Sequence, residues 1–412
     1  GDFTMSGVET LIVGNDGTAS TVSLKNITGL TEVQVEDDAG TVKGVTFTNV
    51  ANNSLFQLGN SADEFEGADA DLTVTLASAT GSSDVLNVEI DHSTTNDLTT
   101  NGIETLNITY TDGGGSDEAH DISFTASSVT SGTINLTGTD TSDVVTVSGI
   151  ATGYTTLNAS ALVGGVTVGA AARNGAYAMT FTGGTGNDSF AMENVGDVLD
   201  AGTKASDSDT LVIAGNFGTG GYVIDLSSST DQVATFNGAA NSAVQKNFEN
   251  VDLSTATTAA GATVTGTSGA NTIKTGTGAY GDTVTAGLGA DHIYTYAGAD
   301  TIDLTESTQS VDTIYLTNTS GIKSTADIVT GFVSGDLIKI DVSSGEFATL
   351  HNSAGTGFTT AGANAVATAN IQAGAIVLAA SKNVVMIDND SSSLTTGYSG
   401  FAAVNIDVNV AG

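Results

Sequence analysis

Along most of this chain apolar and polar residues alternate with a period of two, as in Val45-Thr46-Phe47-Thr48-Asn49-Val50 and Leu72-Thr73-Val74-Thr75-Leu76. Successive side chains of a strand point to opposite faces, so the pattern predicts short strands with one face buried. Similar runs follow at Val85-Leu86-Asn87-Val88, Leu106-Asn107-Ile108, Ile122-Ser123-Phe124, Ile134-Asn135-Leu136, Val144-Val145-Thr146-Val147 and Leu211-Val212-Ile213. Clusters of Gly, Asn, Asp and Ser separate them, as turns require. No long window keeps a 3.6-residue apolar spacing; only the Ala-rich stretch from Ala363 to Ile371 leaves room for a short helix. The expectation is an all-β chain.

Internal repeats turn that expectation into an architecture. Gly7-Val8-Glu9-Thr10-Leu11 recurs as Gly102-Ile103-Glu104-Thr105-Leu106, with a looser echo at Phe248-Glu249-Asn250-Val251-Asp252-Leu253. Between Gly266 and Leu316 a nonapeptide pattern runs through Gly269-Ala270-Asn271-Thr272-Ile273, Tyr280-Gly281-Asp282-Thr283-Val284, Gly289-Ala290-Asp291-His292-Ile293, Gly298-Ala299-Asp300-Thr301-Ile302 and Ser310-Val311-Asp312-Thr313-Ile314. Each copy sets an amide or carboxylate after a turn and a β-branched apolar residue two positions later. Stacked repeats of this kind predict a parallel β-solenoid, or β-roll, in which each rung covers the open face of its neighbour.

The turn chemistry points to calcium. Gly183-Gly184-Thr185-Gly186-Asn187-Asp188-Ser189-Phe190 is the fullest copy: its glycines permit the positive φ angles of a tight turn, Asp188 supplies a carboxylate, and Phe190 anchors the strand. Calcium takes six to eight oxygens, more than one turn offers, so ligands must come from adjacent rungs. Asp282, Asp291 and Asp300 are spaced by nine residues. Successive turns then lie on opposite edges of a flattened coil, with Asp282 and Asp300 facing one ion row and Asp291 the other. Asn271 and Asp312 stand at the ends, where the spacing slips to eleven and twelve. The candidate metal residues are Gly184, Gly186, Asp188, Gly269, Asn271, Asp282, Gly289, Asp291, Gly298, Asp300 and Asp312. Asp207 and Asp209 join them before the strand from Thr210 to Ile213; for these two, and for Asp84, Asp140 and Asp143, a solvated turn is an equal reading.

Composition agrees. Asp and Glu number 46 against 9 Lys and Arg, a formal charge of −37. Such a surface repels nucleic acid and anionic membranes and attracts cations. High charge ordinarily means disorder, yet 39% of the residues are hydrophobic, so the chain is expected to fold once its charge is neutralised. With no Cys, disulfides and thiolate metal sites are excluded. The chain has no apolar run near the length of a membrane helix and opens in mid-pattern without a signal peptide, as a fragment would. The motifs divide it into residues 1–180, an irregular β-solenoid; 181–215, a short calcium-binding segment; 216–265, further β-solenoid; 266–345, the β-roll; and 346–412, a β-rich cap.

The repeat block resembles the calcium-binding RTX repeats of proteins exported by bacterial type I secretion. The segment from Ser324 to Asp341 resembles the stretch that follows such repeats, and Val384-Val385-Met386-Ile387-Asp388-Asn389-Asp390 the late strand after it; Asp327 and Asp336 enter the metal set on that likeness. The remaining Thr- and Gly-loaded chain, above all Gly81 to Val88 followed by Gly102 to Ile108, is similar to the lattice-forming part of Caulobacter-type surface-layer proteins. The resemblance implies Ca2+ as cofactor, export unfolded, folding on external calcium, and self-assembly into an extracellular lattice or filament on the bacterial cell surface. It also implies attachment to outer-membrane polysaccharide through a region that no residue here supplies. The repeat block is shorter and more eroded than the family pattern.

Two other functions compete. A calcium-dependent adhesin or biofilm-matrix protein would have the same sequence features. A β-helix enzyme acting on acidic polysaccharide would need clustered acid, base and cationic groups. Here His92, His120, His292 and His351 are scattered, each expected at a surface or turn, and Arg173 is the only Arg. The expectation is no enzyme.

Overall fold

A computed structural model describes residues 4–15, 19–37, 44–58, 70–90, 95–111, 119–173, 175–203, 208–214, 220–256, 260–317, 327–333, 336–341, 349–351, 386–388 and 406–409. Within these the chain is all strand and turn, with no helix. It forms two compact units, Gly1–Thr210 and Leu211–Gly412. The Ala363–Ile371 stretch and most of the expected C-terminal cap lie outside the described residues.

In the first unit the strands fall alternately into two parallel ladders. One runs through Ser20–Ser23, Val45–Val50, Ala70–Leu76, Thr95–Asn101, Ala119–Ser127, Val144–Ile150, Gly165–Val168 and Ser189–Met192. The other runs through Thr10–Asn15, Glu32–Asp37, Ser54–Leu58, Val85–Ile90, Thr105–Tyr110, Gly132–Gly138, Tyr154–Leu162, Thr180–Thr182 and Val198–Asp200. Consecutive strands go to opposite ladders, and each pairs in parallel with the strand one full coil later. The coil is a parallel β-solenoid. Alternation does the packing: Val85–Ile90 and Thr105–Tyr110 turn Leu86, Val88, Ile90, Leu106, Ile108 and Tyr110 inward, all at most 2% exposed. Phe47 and Phe56, from opposite ladders, meet edge to face at 5.0 Å.

The outward residues of the second ladder add a series of side-chain bonds. Asn87 donates to Asn53, Asn107 to Asn87, Asn135 to Asn107 and Asn158 to Asn135, at 2.8–3.2 Å. In-register parallel pairing stacks like on like and lets each amide serve both neighbours. The repeated Gly-x-Glu-Thr-Leu marks a recurrent corner. Gly7 and Gly102 both have positive φ, and the carbonyls of Glu9 and Glu104 accept the N–H of Thr31 and Thr133 in the following rung.

The second unit has the same logic with shorter strands. One ladder holds Asn250–Asp252, Thr272–Lys274, His292–Thr295, Thr313–Thr317 and Leu337–Asp341. The other holds Tyr222–Asp225, Ala262–Thr265, Thr283–Thr285, Thr301–Asp303, Asp327–Thr330 and Ile406–Asn409. The β-branched residue of each nonapeptide (Ile273, Val284, Ile293, Ile302, Ile314) is wholly buried. Rungs approach so closely at the turns that a methyl at Gly266 would lie 1.8 Å from the Ala286 carbonyl oxygen.

Candidate metal centre

The aspartates of the repeat line up along the edges of the second coil. On one edge the Asp282 N–H donates to Asp300 Oδ1 at 2.9 Å and the Asp300 N–H to Asp327 Oδ1 at 3.0 Å. On the other, the Asn271 N–H donates to Asp291 Oδ1, Asp291 to Asp312 and Asp312 to Asp336, at 2.8–3.1 Å. Main-chain bonds run alongside in the opposite sense: the carbonyls of Asn271, Asp282, Asp291, Asp300 and Asp312 accept N–H groups from the next rung. Each aspartate thus spans two rungs, its Oδ1 occupied by the rung before. Asp282 and Asp300 share one row and Asp291 stands in the other, the two-edge arrangement expected from the spacing.

These side chains are buried: Asp282, Asp291, Asp300, Asp312, Asp327 and Asp336 are all at most 4% exposed, and Asn271 3%. Water solvates an ionised carboxylate far better than a protein interior does, so burial raises its pKa. Burial pushes Asp282 up, against hydrogen bonds from the Ala262 N–H and the Thr275 hydroxyl. Asp291 rises to about 8: burial dominates, the Asn271 N–H opposes it, and the charges of Asp312 and Glu306 add to it. Asp312 rises to about 6, again mainly from burial, with Glu306 and Asp336 contributing. Asp303 makes the contrast. It points outward, and the Thr305 hydroxyl and N–H hold its carboxyl below the usual range, as for an ordinary turn aspartate.

The glycine candidates serve the turns. Gly289 has φ +102° and Gly298 φ +150°; both are in the left-handed range that side chains disfavour. Gly269 exchanges hydrogen bonds with the Thr267 hydroxyl. At Gly186 an added methyl would lie 2.4 Å from the Gly164 backbone.

In the first unit, Asp188 is 1% exposed and joins two rungs: Oδ1 accepts the Val166 N–H, and Oδ2 the Gly184 N–H of its own turn, each at 2.8 Å. Asp209 is buried and bonds the Asp188 N–H, continuing the same rung-to-rung pattern; Asp207 lies outside the described residues. Asp84 and Asp143 are also buried, so neither sits in a solvated turn, whereas Asp140 closes a turn through Ser142. His120 departs from the surface placement expected of it. It is 3% exposed, 4.7 Å from the Tyr110 ring and beside Asp143, because its position in the strand faces inward. His292 is exposed.

One carboxylate was not in the sequence-derived set. Glu306 joins Asp291 and Asp312, with one oxygen from each inside a 4.8 Å group. Its signal was the twelve-residue step from Asp300 to Asp312, which makes room for it.

The donor set fits a hard cation. It is all oxygen, and Asp291 Oδ2 is buried without a hydrogen-bond partner, an arrangement unfavourable until something positive meets it. Zinc and copper sites prefer nitrogen and sulfur, which these turns do not offer.

Residues 276–306 match the family of the RTX calcium-binding nonapeptide repeat, a four-copy description. Neither the curated proteins nor the solved structures contain a match to the chain. RTX repeats are typical of secreted extracellular proteins. Through residues 276–306 the chain carries RTX calcium-binding repeats on a parallel β-solenoid, and Ca2+ is the ion it binds.

Proposed function

We propose that this chain is a structural surface protein that folds when it meets external calcium and then assembles with copies of itself into an extracellular lattice on the bacterial cell. The observation that carries this reading is the pair of buried aspartate rows, joined rung to rung, in a chain of formal charge −37. A stack of ionised carboxylates repels itself, so ion binding and coil formation become one event. A cytosol poor in calcium would keep the chain unfolded for export, and the exterior would close the coil.

Assembly is supported by the build of the first unit. Its outward faces include parallel ladders of Thr and Asn, a surface suited to repetitive contact between copies. Polysaccharide of the outer membrane is the proposed attachment. No catalytic role is proposed. His120 is buried within the first unit, and His292 belongs to the second, where it is exposed.

Calcium titration of the metal-stripped protein, followed by circular dichroism and light scattering, tests both halves. The expected course is a gain of strand signal, then growth of ordered sheets or filaments that chelator dissolves. A protein that folds on calcium but stays monomeric at millimolar calcium and high concentration would refute assembly, and leave the adhesin reading. Full structure after exhaustive metal stripping at about pH 8 or above, where the buried Asp291 ionises, would refute calcium-driven folding.

A further inference from the structure

Calcium in such a coil is expected from the aspartates and glycines of the nonapeptide. The second unit offers something outside that pattern. Between Thr301–Asp303 and Thr313–Thr317 the chain makes a longer turn, and Glu306 projects from it back toward the aspartate edge. Its carboxylate is held at two points: Oε1 accepts the Gly289 N–H at 2.8 Å and Oε2 the Ser310 N–H at 2.6 Å. Gly289 lies in the turn before Asp291 and Ser310 in the turn before Asp312. Glu306 therefore bridges two successive turns of one edge, where Asp291 and Asp312 are stacked by the Asp291 N–H to Asp312 Oδ1 bond.

We propose that Glu306 is a metal ligand, making Asp291, Glu306 and Asp312 a tricarboxylate calcium site distinct from the aspartate-only sites of the coil. Oxygens from the three side chains fall within 4.8 Å of one another. Asp291 is 0% exposed, and its Oδ2 has no hydrogen-bond partner. Three like charges so close are unfavourable unless a cation stands among them, and calcium affinity rises with the number of charged ligands and the rigidity of the site. In the closed coil two backbone amides hold Glu306 in place, each taking one lone pair of its oxygen and leaving the other for an ion. Glu306 also lines a cavity of about 390 Å³ with Leu304, Gln309, Gly331 and Phe332. The break in the nonapeptide spacing is then an insertion that carries a ligand.

The inference rests on calcium binding by the repeat, and the test separates the two. Isothermal titration of the full chain with calcium is compared for the unaltered protein and Glu306→Gln, which keeps the size and one acceptor oxygen. One class of site should weaken by at least on the order of tenfold, with the remaining sites and the calcium-saturated circular dichroism unchanged. Equal affinity and stoichiometry in E306Q would overturn the proposal and leave Glu306 as a strap between turns. No heat of binding in the unaltered protein would overturn calcium binding by the repeat itself. Should E306Q fail to fold, europium excitation of the unaltered chain decides, because the line position follows the total charge of the ligands. A line for three carboxylates supports the site, and lines for two or fewer alone refute it.

Discussion

Stripped of calcium, the second unit should lose stability as pH rises, and Asp291 sets the scale. Its carboxyl has a pKa of 3.8 when free and about 8 in the folded coil, raised first by burial. Below about pH 4 the group is protonated in folded and unfolded chain alike. Between there and about 8 the unfolded chain has released the proton while the folded chain retains it, so every step upward in pH favours unfolding; above about 8 the buried charge stands in full. At about 1.4 kcal/mol for each tenfold change in proton affinity, the difference is on the order of 5 kcal/mol. Asp312 belongs to the same cluster and titrates with it, so its share is not added separately. For a unit of this size that corresponds to a fall in melting temperature on the order of 10 °C. Calcium binds the ionised form and should abolish or reverse the slope. Thermal unfolding by circular dichroism between about pH 5 and 8, in stripped protein and at saturating calcium, reads both arms. Asp291→Asn is the control: it keeps an oxygen for the Asn271 N–H, cannot titrate, and should flatten the apo profile. A stripped protein whose midpoint is constant or rises over this range, or an D291N variant with the full slope, would show that buried carboxylates do not govern the calcium-free state.

Two further outcomes concern the first unit. Asn107→Ala removes the middle of the amide series, leaving Asn87 Oδ1 and Asn135 Nδ2 without their 2.8 Å partner, and should cost about 1–2 kcal/mol in denaturant unfolding; a change below about 0.5 kcal/mol would mean water replaces the amide freely. Arg173 pairs with the fully buried Asp197 and with Glu193 and lies over the Phe181 ring, so Arg173→Met strands a buried charge. A loss of about 3–5 kcal/mol is expected, and one within about 1 kcal/mol would show that the N–H groups of Met179, Glu193 and Asn194 suffice to hold Asp197.

By itself the sequence determined the strand content, the inward set and the nature of the metal. These are local properties: period-two alternation decides which residues face the core, and Gly before Asp makes a turn whatever lies elsewhere. Thus Ile273, Val284 and Ile293 could be placed in the core, and the pairing of Asp282 with Asp300 across one coil followed from counting. Even the asparagine series was present as Leu-Asn-Val, Leu-Asn-Ile and Ile-Asn-Leu. Its bonding was not visible, because an amide finds its partner only when rungs stack in register. Tertiary structure alone decided the chemistry of each turn, since that depends on which rung covers which, and the coils between partners range from 18 to 27 residues. Asp188, in the fullest motif, accepts the Val166 and Gly184 N–H groups on its two oxygens, while Asp291, in a plainer copy, keeps a buried oxygen unpaired. Glu306 stands in the twelve-residue step between Asp300 and Asp312, and only folding carried it against Asp291 and Asp312: the spacing shows room for extra residues, but proximity across rungs is not periodic along the chain.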